Sequence, residues 1–595
     1  MPTATEIMRN CVSIALVFAS FTLLAQPDWR TPFELDSTYS AHYYEAIDYF
    51  EQLDSAYAEV QLLTYGTTDV GLPLHLAVLN TDGVFDPVKI RESGKGVLLV
   101  MNGIHPGESC GVDASMMWLR DLLQKETNRH LLDSVVVAVI PFYNVGGALE
   151  RSCCYRANQN GPRQQGFRGN GRNLDLNRDG AKADSRNMRA FTTLYHQWRP
   201  HFFIDTHTSN GADYQHVMTL IGTQQDKLHP LLGDYLYDSL WPNLFHQMAA
   251  AGWPMTPYVM PVDRTPDKGL RAFLETPRYS TGYTALFNTI GFVTEAHMFK
   301  PFHQRVDATY AFLQVALTAL HRDREQVVAW QQEADSAVAV QEQFALQWAS
   351  DTTKWEKVFF RGFADTQVTS QVSGHLRLQY DRAQPWSDSI RWYNRYRVTD
   401  AVAAPVAYIL PQAWQRAVAL LQANQIDMVP LTDTMRLPVE VYYVEDVETI
   451  DFPWEGHYFH REVKVRKDTQ RLLFQPGDWY VPVNQPGNRY IVEMLEPTAA
   501  DSWFRWNFFD AILMQKEYFS GYVFDEVAAG LLDKDPGLRQ ALEEAKAVDS
   551  SLADQHYRQL DFVYKRSPYY EPSHNRYPVG RLLENVTLPL NIPAD

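Results

Sequence analysis

The segment Val97–Glu108 reads VLLVMNGIHPGE and joins an unbroken apolar run to a tight loop that contains glycine. Such an apolar run is typical of a strand that is buried on both faces of a sheet. The next residues, Ser109–Gln124, have apolar side chains at helical spacing and predict a helix. The loop therefore places His105 and Glu108 where a buried strand passes into a helix, which is the usual position of a ligand site in an open α/β sheet.

The two side chains of this loop are suited to one metal ion. His105 and Glu108 lie three positions apart in a turn, so an imidazole nitrogen and a carboxylate oxygen can converge, and Zn2+ accepts both. The pattern is weak by itself, because His42 and Glu45 repeat it in a segment with the pattern of an amphipathic surface helix. Only the position at a strand end, together with partners further along the chain, favours the first pair.

Length and charge limit the classes of protein that this sequence can represent. A chain of 595 residues is too long for one hydrophobic core, so we expect two or three domains. The net charge of −18 argues against nucleic acid or an anionic membrane as the main partner, because both would repel the protein.

The N-terminus has the pattern of a secretory signal at residues 1–25. Arg9 precedes an apolar run, Cys11–Ala25, that is short for a membrane span, and Ala25–Gln26 is a suitable cleavage point. We therefore expect export to the periplasm or medium, with an uncleaved anchor as the alternative. No later run is long and apolar enough to predict a membrane span after signal removal.

Removal of this segment leaves Cys110, Cys153 and Cys154. In an exported protein, three cysteines allow one disulfide and one free thiol. A bond from Cys110 to Cys153 or Cys154 would tie the His105 loop to the next insertion, but the sequence does not decide the pairing.

Further buried strands and helices follow in alternation, as in a parallel sheet. Strands are predicted at Ser134–Tyr143, His201–His207 and Gly291–His297, and helices at Ser185–Trp198 and from Phe302 to about Trp348. The fold class is therefore α/β, a doubly wound mixed sheet, over residues 26–349. Short alternating segments after this point predict an accessory α+β region of unassigned role at residues 350–595, including a helix at Trp503–Tyr518.

Three of the predicted strand ends carry groups with metal or acid-base chemistry. His105 with Glu108, then His207, then Glu295 would meet at one edge, because parallel strands share the edge formed by their carboxyl ends. Two imidazoles and one carboxylate form a three-ligand Zn2+ site with an open position, and the remaining carboxylate can act as the general base. The pattern alone does not decide which glutamate is the ligand.

An arginine-rich, glycine-rich segment, residues 144–184, supplies cations to such a site. A tetrahedral oxyanion needs a fixed positive group, and a carboxylate needs a planar two-pronged donor. Asn177 and Arg178 offer an amide beside a guanidinium. Asp175 can accept a hydrogen bond from the far nitrogen of a metal-bound histidine.

The motifs HPGE (105–108), DLNR (175–178), DTH (205–207) and TE (294–295) resemble, in the same order, those of the zinc metallocarboxypeptidase family. The resemblance spans roughly residues 57–310 and implies that fold, one Zn2+ ion and peptide hydrolysis. It implies the following roles: His105, Glu108 and His207 as metal ligands, Glu295 as general base, Asn177 and Arg178 as carboxylate anchors, Asp175 behind a ligand, Arg168 (or Arg156) beside the oxyanion, and Tyr279 (or Tyr283) as the substrate-contacting tyrosine. Gly107 departs from the digestive members, which have arginine there.

The leading hypothesis is an exported zinc carboxypeptidase that cleaves next to a free C-terminal carboxylate. One alternative keeps the fold and metal but hydrolyses a cell-wall peptide or an N-acyl amino acid. Another is a catalytically silent module that binds glycan or protein through the aromatic residues of the accessory region.

Overall fold

The computed structural model describes residues 29–588. The signal segment predicted at residues 1–25 lies outside these residues. From residue 29 to residue 588, no helix combines the length and the apolar composition that crossing a bilayer requires.

A mixed sheet of eight strands forms the centre of the N-terminal half. In chain order its strands are β1 (Val60–Thr67), β2 (Pro73–Leu79), β3 (Gly96–Met101), β4 (Val135–Ile140), β5 (Phe202–Ser209), β6 (Met218–Gly222), β7 (Thr256–Pro257) and β8 (Ile290–His297). Across the sheet they lie in the order β1-β2-β4-β3-β5-β8-β6-β7. The four central strands β4, β3, β5 and β8 run parallel, so their carboxyl ends share one edge.

Helices cover both faces of this sheet. The long helices are α1 (Tyr43–Ala56), α2 (Cys110–Gln124), α3 (Arg186–Trp198) and α4 (Phe302–Ala339). Leu98 and Val100 pack in a cluster with α1, α2 and α4, whereas Val97 and Leu99 pack on the opposite face with α3. Burial on both faces accounts for the unbroken apolar run of β3 and confirms the predicted doubly wound α/β class.

Shorter elements complete the N-terminal half. The helices and helical turns are Pro32–Leu35, Pro87–Glu92, Glu126–Arg129, His130–Asp133, Val145–Leu149, Leu176–Arg178, Gln225–Lys227, Pro230–Asp234, Tyr235–Leu240, Trp241–Ala250, Pro266–Lys268 and Ser280–Ala285. The short strands are Arg151–Ser152, Gln165–Gly166 and Leu270–Arg271.

The C-terminal region is α+β. Most of its core packs on the face that carries α3, whereas Phe360, Ile390 and Trp392 pack in the cluster of the other face. Its strands are Gln343–Ser350, Glu356–Thr369, Leu376–Tyr393, Tyr396–Ala403, Ala407–Leu410, Val429–Pro430, Met435–Thr449, His460–Phe474, Trp479–Pro482 and Gly580–Leu582. Its helices and helical turns are Gln415–Ala423, Asn488–Leu495, Asp510–Leu513, Gly521–Lys534, Pro536–Val548, Ser550–Asp554 and His556–Tyr564. Tyr408, Tyr490 and Trp503 of this region share one hydrophobic cluster with Tyr195 of α3, so the two parts of the chain have a common core.

Two predicted helices differ from the structure. Helix α4 ends at Ala339 rather than near Trp348, because Gln343–Ser350 pairs with Tyr396–Ala403 as a strand and buries Phe344 and Leu346 at alternate positions. The helix predicted at Trp503–Tyr518 is also wrong. Its aromatic residues are buried at successive positions in turns, with only a short helical turn at Asp510–Leu513, since tertiary packing overrides helical spacing there.

The disulfide joins neighbouring residues, Cys153 and Cys154. Cys110 is buried as a free thiol at the start of α2, where its Sγ lies 3.7 Å from Thr309 Oγ1. The hypothesis that Cys110 pairs with Cys153 or Cys154 is therefore wrong.

A buried carboxyl on α2 gives the fold a testable dependence on pH. Asp113 accepts hydrogen bonds from Ser40 Oγ at 2.6 Å and from the backbone N–H of Ala41 at 3.0 Å. Burial raises the pKa of Asp113 from 3.8 to about 6, and the hydrogen bonds offset only part of that rise. The group therefore favours folding fully below its ordinary pKa, and this contribution is lost as the pH rises through about 6.

The variant Asp113→Asn removes this titration and keeps the shape of the side chain. We expect the stability of this variant relative to wild type, measured as the free energy of unfolding, to rise by about 2 kcal/mol from pH 4 to pH 7. Denaturant unfolding across this range measures the difference. The exposed Asp133→Asn should follow wild type, and parallel curves for Asp113→Asn and wild type would contradict the prediction.

Candidate metal centre

The loop after β3 is held in place by close backbone packing. Gly103 has a φ of +66°, and a Cβ there would lie 2.9 Å from the ring of Phe142. At Gly111, in the first turn of α2, a Cβ would lie 2.0 Å from Thr206 Oγ1. Only glycine fits both positions. As a result, α2 starts directly against β5, and this close packing fixes the backbone path of the loop with His105 and Glu108.

Strand register brings the remaining groups to the same edge. His207 on β5 is the register partner of Glu295 on β8. Asp205 is the register partner of Met101, the last residue of β3. Because side chains alternate along a strand, Asp205 and His207 lie on the same face of the sheet.

Three buried side chains converge in the arrangement of a metal site. One ligand atom each from His105, Glu108 and His207 lies within 4.8 Å of the other two. His105 Nδ1 is 3.4 Å from Glu108 Oε1, and His207 Nδ1 is 3.1 Å from Glu108 Oε2. The buried His105 Nδ1 has no hydrogen-bond partner among the described residues. A buried donor atom of this kind is suited to a ligand, since an unsatisfied polar atom is otherwise costly.

The far nitrogen of each imidazole faces a carboxylate. His105 Nε2 is 2.9 Å from Asp175 Oδ1, and His207 Nε2 is 2.9 Å from Asp205 Oδ2. The contact of His105 with Asp175 is a hydrogen bond that fixes the protonated nitrogen of His105, so that its Nδ1 lone pair faces the centre of the site. The contact of His207 with Asp205 is a close approach of opposite charges without hydrogen-bond alignment. Asp175 was predicted from the sequence as the partner of a ligand histidine, whereas Asp205 was not, although its spacing of two residues from His207 in a strand was a signal for it.

The electrostatics of the site favour a cation between these groups. Burial alone would lower the pKa of His207, but Asp205 and Glu108 raise it well above its ordinary value. Burial alone would raise the pKa of Glu108, but Arg156 and His105 hold it well below its usual range. A field that favours a proton on His207 also favours a metal ion beside it. Two imidazole nitrogens and one carboxylate oxygen therefore fit one Zn2+.

Glu295 lies in the same cavity and is the second carboxylate of the site. Burial raises its pKa to about 8, with His207 opposing the rise and Glu108 adding to it. The charge of Glu295 is in turn the largest cause that raises the pKa of the Tyr258 hydroxyl. Tyr258 was not predicted from the sequence, because a tyrosine after a two-residue strand has no motif to identify it.

Two arginines contact the candidate ligands. Arg168 donates to Asp175 Oδ2 through Nε at 3.0 Å, and its Nη1 is 3.6 Å from Glu108 Oε1. Arg156 donates from Nη2 to Glu108 Oε1 at 2.6 Å. Both predicted candidates for the oxyanion arginine thus reach the site, with Arg156 engaged on Glu108 and the more exposed Arg168 facing the cavity.

The predicted carboxylate anchors line the same cavity. Asn177 Oδ1 accepts the backbone N–H of Ser280 at 3.2 Å, which leaves the amide N–H groups for a ligand. The Arg178 guanidinium lies over the ring of Tyr279, 4.7 Å from its centroid. The alternative tyrosine, Tyr283, is buried elsewhere and donates to Asn424 Oδ1 at 2.6 Å.

One cavity of about 390 Å3 joins these groups, a volume in the range of small-molecule sites. Its walls include all the predicted site residues except Asp175, which lies behind His105. Besides Tyr279, five large apolar or aromatic side chains line it: Ile221, Tyr258, Phe273, Val293 and Met298.

The second His-x-x-Glu pair has a purely structural setting. His42 is the N-cap of α1, and its backbone N–H donates to Glu45 Oε2 at 2.8 Å. The pair therefore caps a surface helix, as its amphipathic pattern indicated.

Comparison with known proteins gives structural neighbours only. No family model and no curated protein sequence matches this chain. A metallo-carboxypeptidase from Burkholderia cenocepacia matches with 16% identity and a TM-score of 0.36, over 48% of this chain and 70% of that one. Carboxypeptidase A from Helicoverpa armigera matches with 13% identity and a TM-score of 0.35, over 48% and 74%.

A third neighbour is a metallo-carboxypeptidase from Pseudomonas aeruginosa in complex with (2-guanidinoethylmercapto)succinic acid. It matches with 14% identity and a TM-score of 0.35, over 47% of this chain and 68% of that one. These neighbours are named as metallo-carboxypeptidases or carboxypeptidase A, and each covers about half of this chain. The functional roles proposed below rest on the geometry of this chain's own residues.

Zinc binding tests the site directly. We expect one zinc ion per wild-type chain after dialysis, and less than a tenth of that in His207→Ala. Asp205→Asn should weaken zinc affinity about 10- to 100-fold, because it changes the partner that orients His207. Elemental analysis and competition with a fluorescent chelator measure both quantities.

His42→Ala is the matched control, since it removes the histidine of the surface pair. It should bind zinc like wild type. Equal zinc content in folded His207→Ala and wild type would show that His207 is not a ligand of the bound zinc.

Proposed function

We propose that this chain is an exported zinc carboxypeptidase that hydrolyses the peptide bond next to a free C-terminal carboxylate. Export is inferred from the secretory pattern of residues 1–25. The observation that carries the activity is the combination in one cavity of a His-Glu-His group, a separate glutamate and an Asn-Arg pair. Each element has a distinct chemical task in amide hydrolysis.

His105, Glu108 and His207 would hold the metal. Three protein ligands leave an open coordination position, which is the pattern of catalytic rather than structural zinc. When bound, zinc lowers the pKa of water and polarises a carbonyl group. Asp175 and Asp205 keep both imidazoles oriented for this task.

Glu295 is the proposed general base. It is the carboxylate of the cavity that is not placed among the ligands, and it lies beside His207 across β5 and β8. Burial raises the pKa of Glu295 above its ordinary value, so this carboxylate accepts a proton more readily than an exposed glutamate does. Glu295 would take a proton from the attacking water and deliver it to the leaving amine.

Arg168 is the proposed oxyanion partner. Its guanidinium is held by Asp175 and lines the cavity, so positive charge is already oriented before the carbonyl oxygen becomes an anion. A preorganised charge of this kind stabilises the transition state more than the ground state.

Arg178 and Asn177 are the proposed anchors of the C-terminal carboxylate. A planar guanidinium beside an amide can hold both carboxylate oxygens. Stacking on Tyr279 limits the movement of Arg178. A charged anchor at a fixed distance from Glu295 restricts cleavage to the last peptide bond.

The neutral part of the wall indicates the preferred C-terminal residue. Ile221, Phe273 and Val293 line the cavity beside Glu295, and all of its charged residues already have a role. An acidic or basic side chain would therefore be desolvated there without a partner, which is costly. We propose that the enzyme prefers apolar and aromatic C-terminal residues.

Removal of the base tests the reaction. Glu295→Gln should lower kcat at least 100-fold on an N-acylated dipeptide ending in phenylalanine, while the zinc content stays at the wild-type level. The exposed Glu51→Gln is the matched control and should keep full activity. Wild-type turnover that persists in Glu295→Gln would refute the base assignment.

The substrate panel for wild type should also include cell-wall peptides and N-acyl amino acids. Turnover of these alone would favour the same-fold amidohydrolase. Tight ligand binding with no turnover of any compound, unaffected by Glu295→Gln, would favour the silent binding module.

Removal of the anchor tests the requirement for a free carboxylate. Arg178→Met should lower kcat/KM about 10- to 100-fold on the free dipeptide, through KM, because a charge-assisted hydrogen-bond pair is lost. On the C-terminal amide of the same dipeptide, wild type and variant should be equally poor. Arg163→Met removes an exposed arginine of the same segment and should match wild type on both substrates. A loss of kcat/KM in Arg178→Met that is confined to the amide substrate would contradict the proposal.

A further inference from the structure

We infer that the C-terminal region positions the carboxylate-anchoring wall of the cavity, through a clamp around Arg278. The clamp consists of Trp454, Phe459, Asp501 and Trp506, all of which belong to the C-terminal region. The inference rests on the proposed function and gives the region after residue 350 a role in it.

Arg278 is fixed in the clamp by its backbone and its side chain. Asp501 Oδ1 accepts from Arg278 Nε at 2.7 Å and Nη2 at 2.6 Å, and Asp501 Oδ2 accepts from the Arg278 backbone N–H at 2.9 Å. The guanidinium carbon lies 4.8 Å from the ring centroids of Trp454 and Phe459 and 5.2 Å from that of Trp506. The Asp501 side chain is fully buried, so this carboxylate has one orientation available.

The residues next to Arg278 transmit this position to the anchors. Ser280 donates its backbone N–H to Asn177 Oδ1 at 3.2 Å and its hydroxyl to Asp205 Oδ2 at 2.5 Å. Tyr279 lies between Arg278 and Ser280 in the chain, and its ring lies under the Arg178 guanidinium. A shift of Arg278 would therefore move partners of both anchors.

Arg278 and neighbouring residues of the C-terminal region also contact the loop that bears the anchors. The Arg278 carbonyl accepts the backbone N–H of Gly180 at 3.0 Å, two residues after Arg178. Trp503 donates from Nε1 to the carbonyl of Ala181 at 2.9 Å. His457 Nε2 lies 2.7 Å from Asp184 Oδ2.

A separate contact from the same region supports Asp175. Glu455 Oε2 accepts the backbone N–H of Asp175 at 2.7 Å. The segment 175–184 is thus held along its length by residues that lie more than 270 positions away in the chain.

The energetics favour a positioning role over a stabilising one. A buried ion pair such as Arg278–Asp501 contributes little net stability, because desolvation offsets its attraction. What such a pair does supply is a fixed geometry for the groups attached to it. Anchors must be held to a fraction of an ångström for efficient binding and reaction. Arg278, Asp501 and Glu455 do not line the cavity, so they act through Asn177, Arg178 and Asp175.

The test compares the full-length, zinc-loaded wild type with Asp501→Asn. On an N-acylated dipeptide ending in phenylalanine, we expect KM to rise about tenfold or more and kcat to stay within about threefold. Zinc content should not change, and on the C-terminal amide the two proteins should be equally poor. Asp446→Asn, the same substitution at an exposed ion pair of the C-terminal region, is the matched control and should behave as wild type.

A binding measurement separates this inference from the proposed function. We expect the Kd for N-acetyl-L-phenylalanine, measured by calorimetry, to weaken about tenfold in Asp501→Asn. If wild type hydrolyses no peptide but binds N-acetyl-L-phenylalanine about tenfold more tightly than Asp501→Asn does, the proposed function fails and the positioning role stands. Unchanged KM and Kd in folded Asp501→Asn would overturn the positioning role while leaving the proposed function intact.

Glu455→Ala decides the matter if Asp501→Asn does not fold. It removes one acceptor from a half-buried loop, and we expect the same Kd to weaken about threefold or more. A wild-type Kd in folded Glu455→Ala would then overturn the inference.

Discussion

The parallel register of β5 against β3 and β8 is the constraint on which the candidate centre depends. It places His207 opposite Glu295 and Asp205 opposite the end of β3. A slip of one residue in β5 would turn both side chains to the other face of the sheet, where α2 and α4 pack. Burial on both faces of the sheet does not by itself exclude such a slip. The close contact of Gly111 against Thr206, which joins β5 to α2, fixes which face of β5 meets that helix.

Each candidate metal ligand at this edge of the sheet contacts a side chain that can carry the opposite charge. The candidate ligand Glu108 is paired with Arg156, and each imidazole is backed by a carboxylate. Arg168 is shared between Asp175 and Glu108, so it stays oriented while keeping part of its surface open. Burial would otherwise neutralise these groups, and their mutual contacts keep several of them charged in a site of low dielectric constant. The same low dielectric constant makes each charge effective on a substrate.

The C-terminal region completes the second face of the sheet and the outer side of the anchor loop. Its aromatic residues occupy one hydrophobic cluster with α3, and a subset of them encloses Arg278. The hypothesis that its aromatic residues form a glycan- or protein-binding surface is not needed to explain Trp503 and Trp506, which are fully buried. They pack a core that borders the site.

The sequence by itself determined the α/β class and the strand ends that carry His105, His207 and Glu295, because these follow from local patterns of burial and spacing. A place for Asp175 behind a histidine was implied by the resemblance of the DLNR motif, since the contact itself joins residues 70 positions apart. Asp205 and Tyr258 were decided by the tertiary structure, since their importance lies in the partner that faces them across strands. The Cys153–Cys154 bond, the end of α4 at Ala339 and the irregular aromatic turns after Trp503 were likewise decided by long-range packing. The clamp on Arg278 joins residues more than 170 positions apart, and no local pattern encodes a contact of that range.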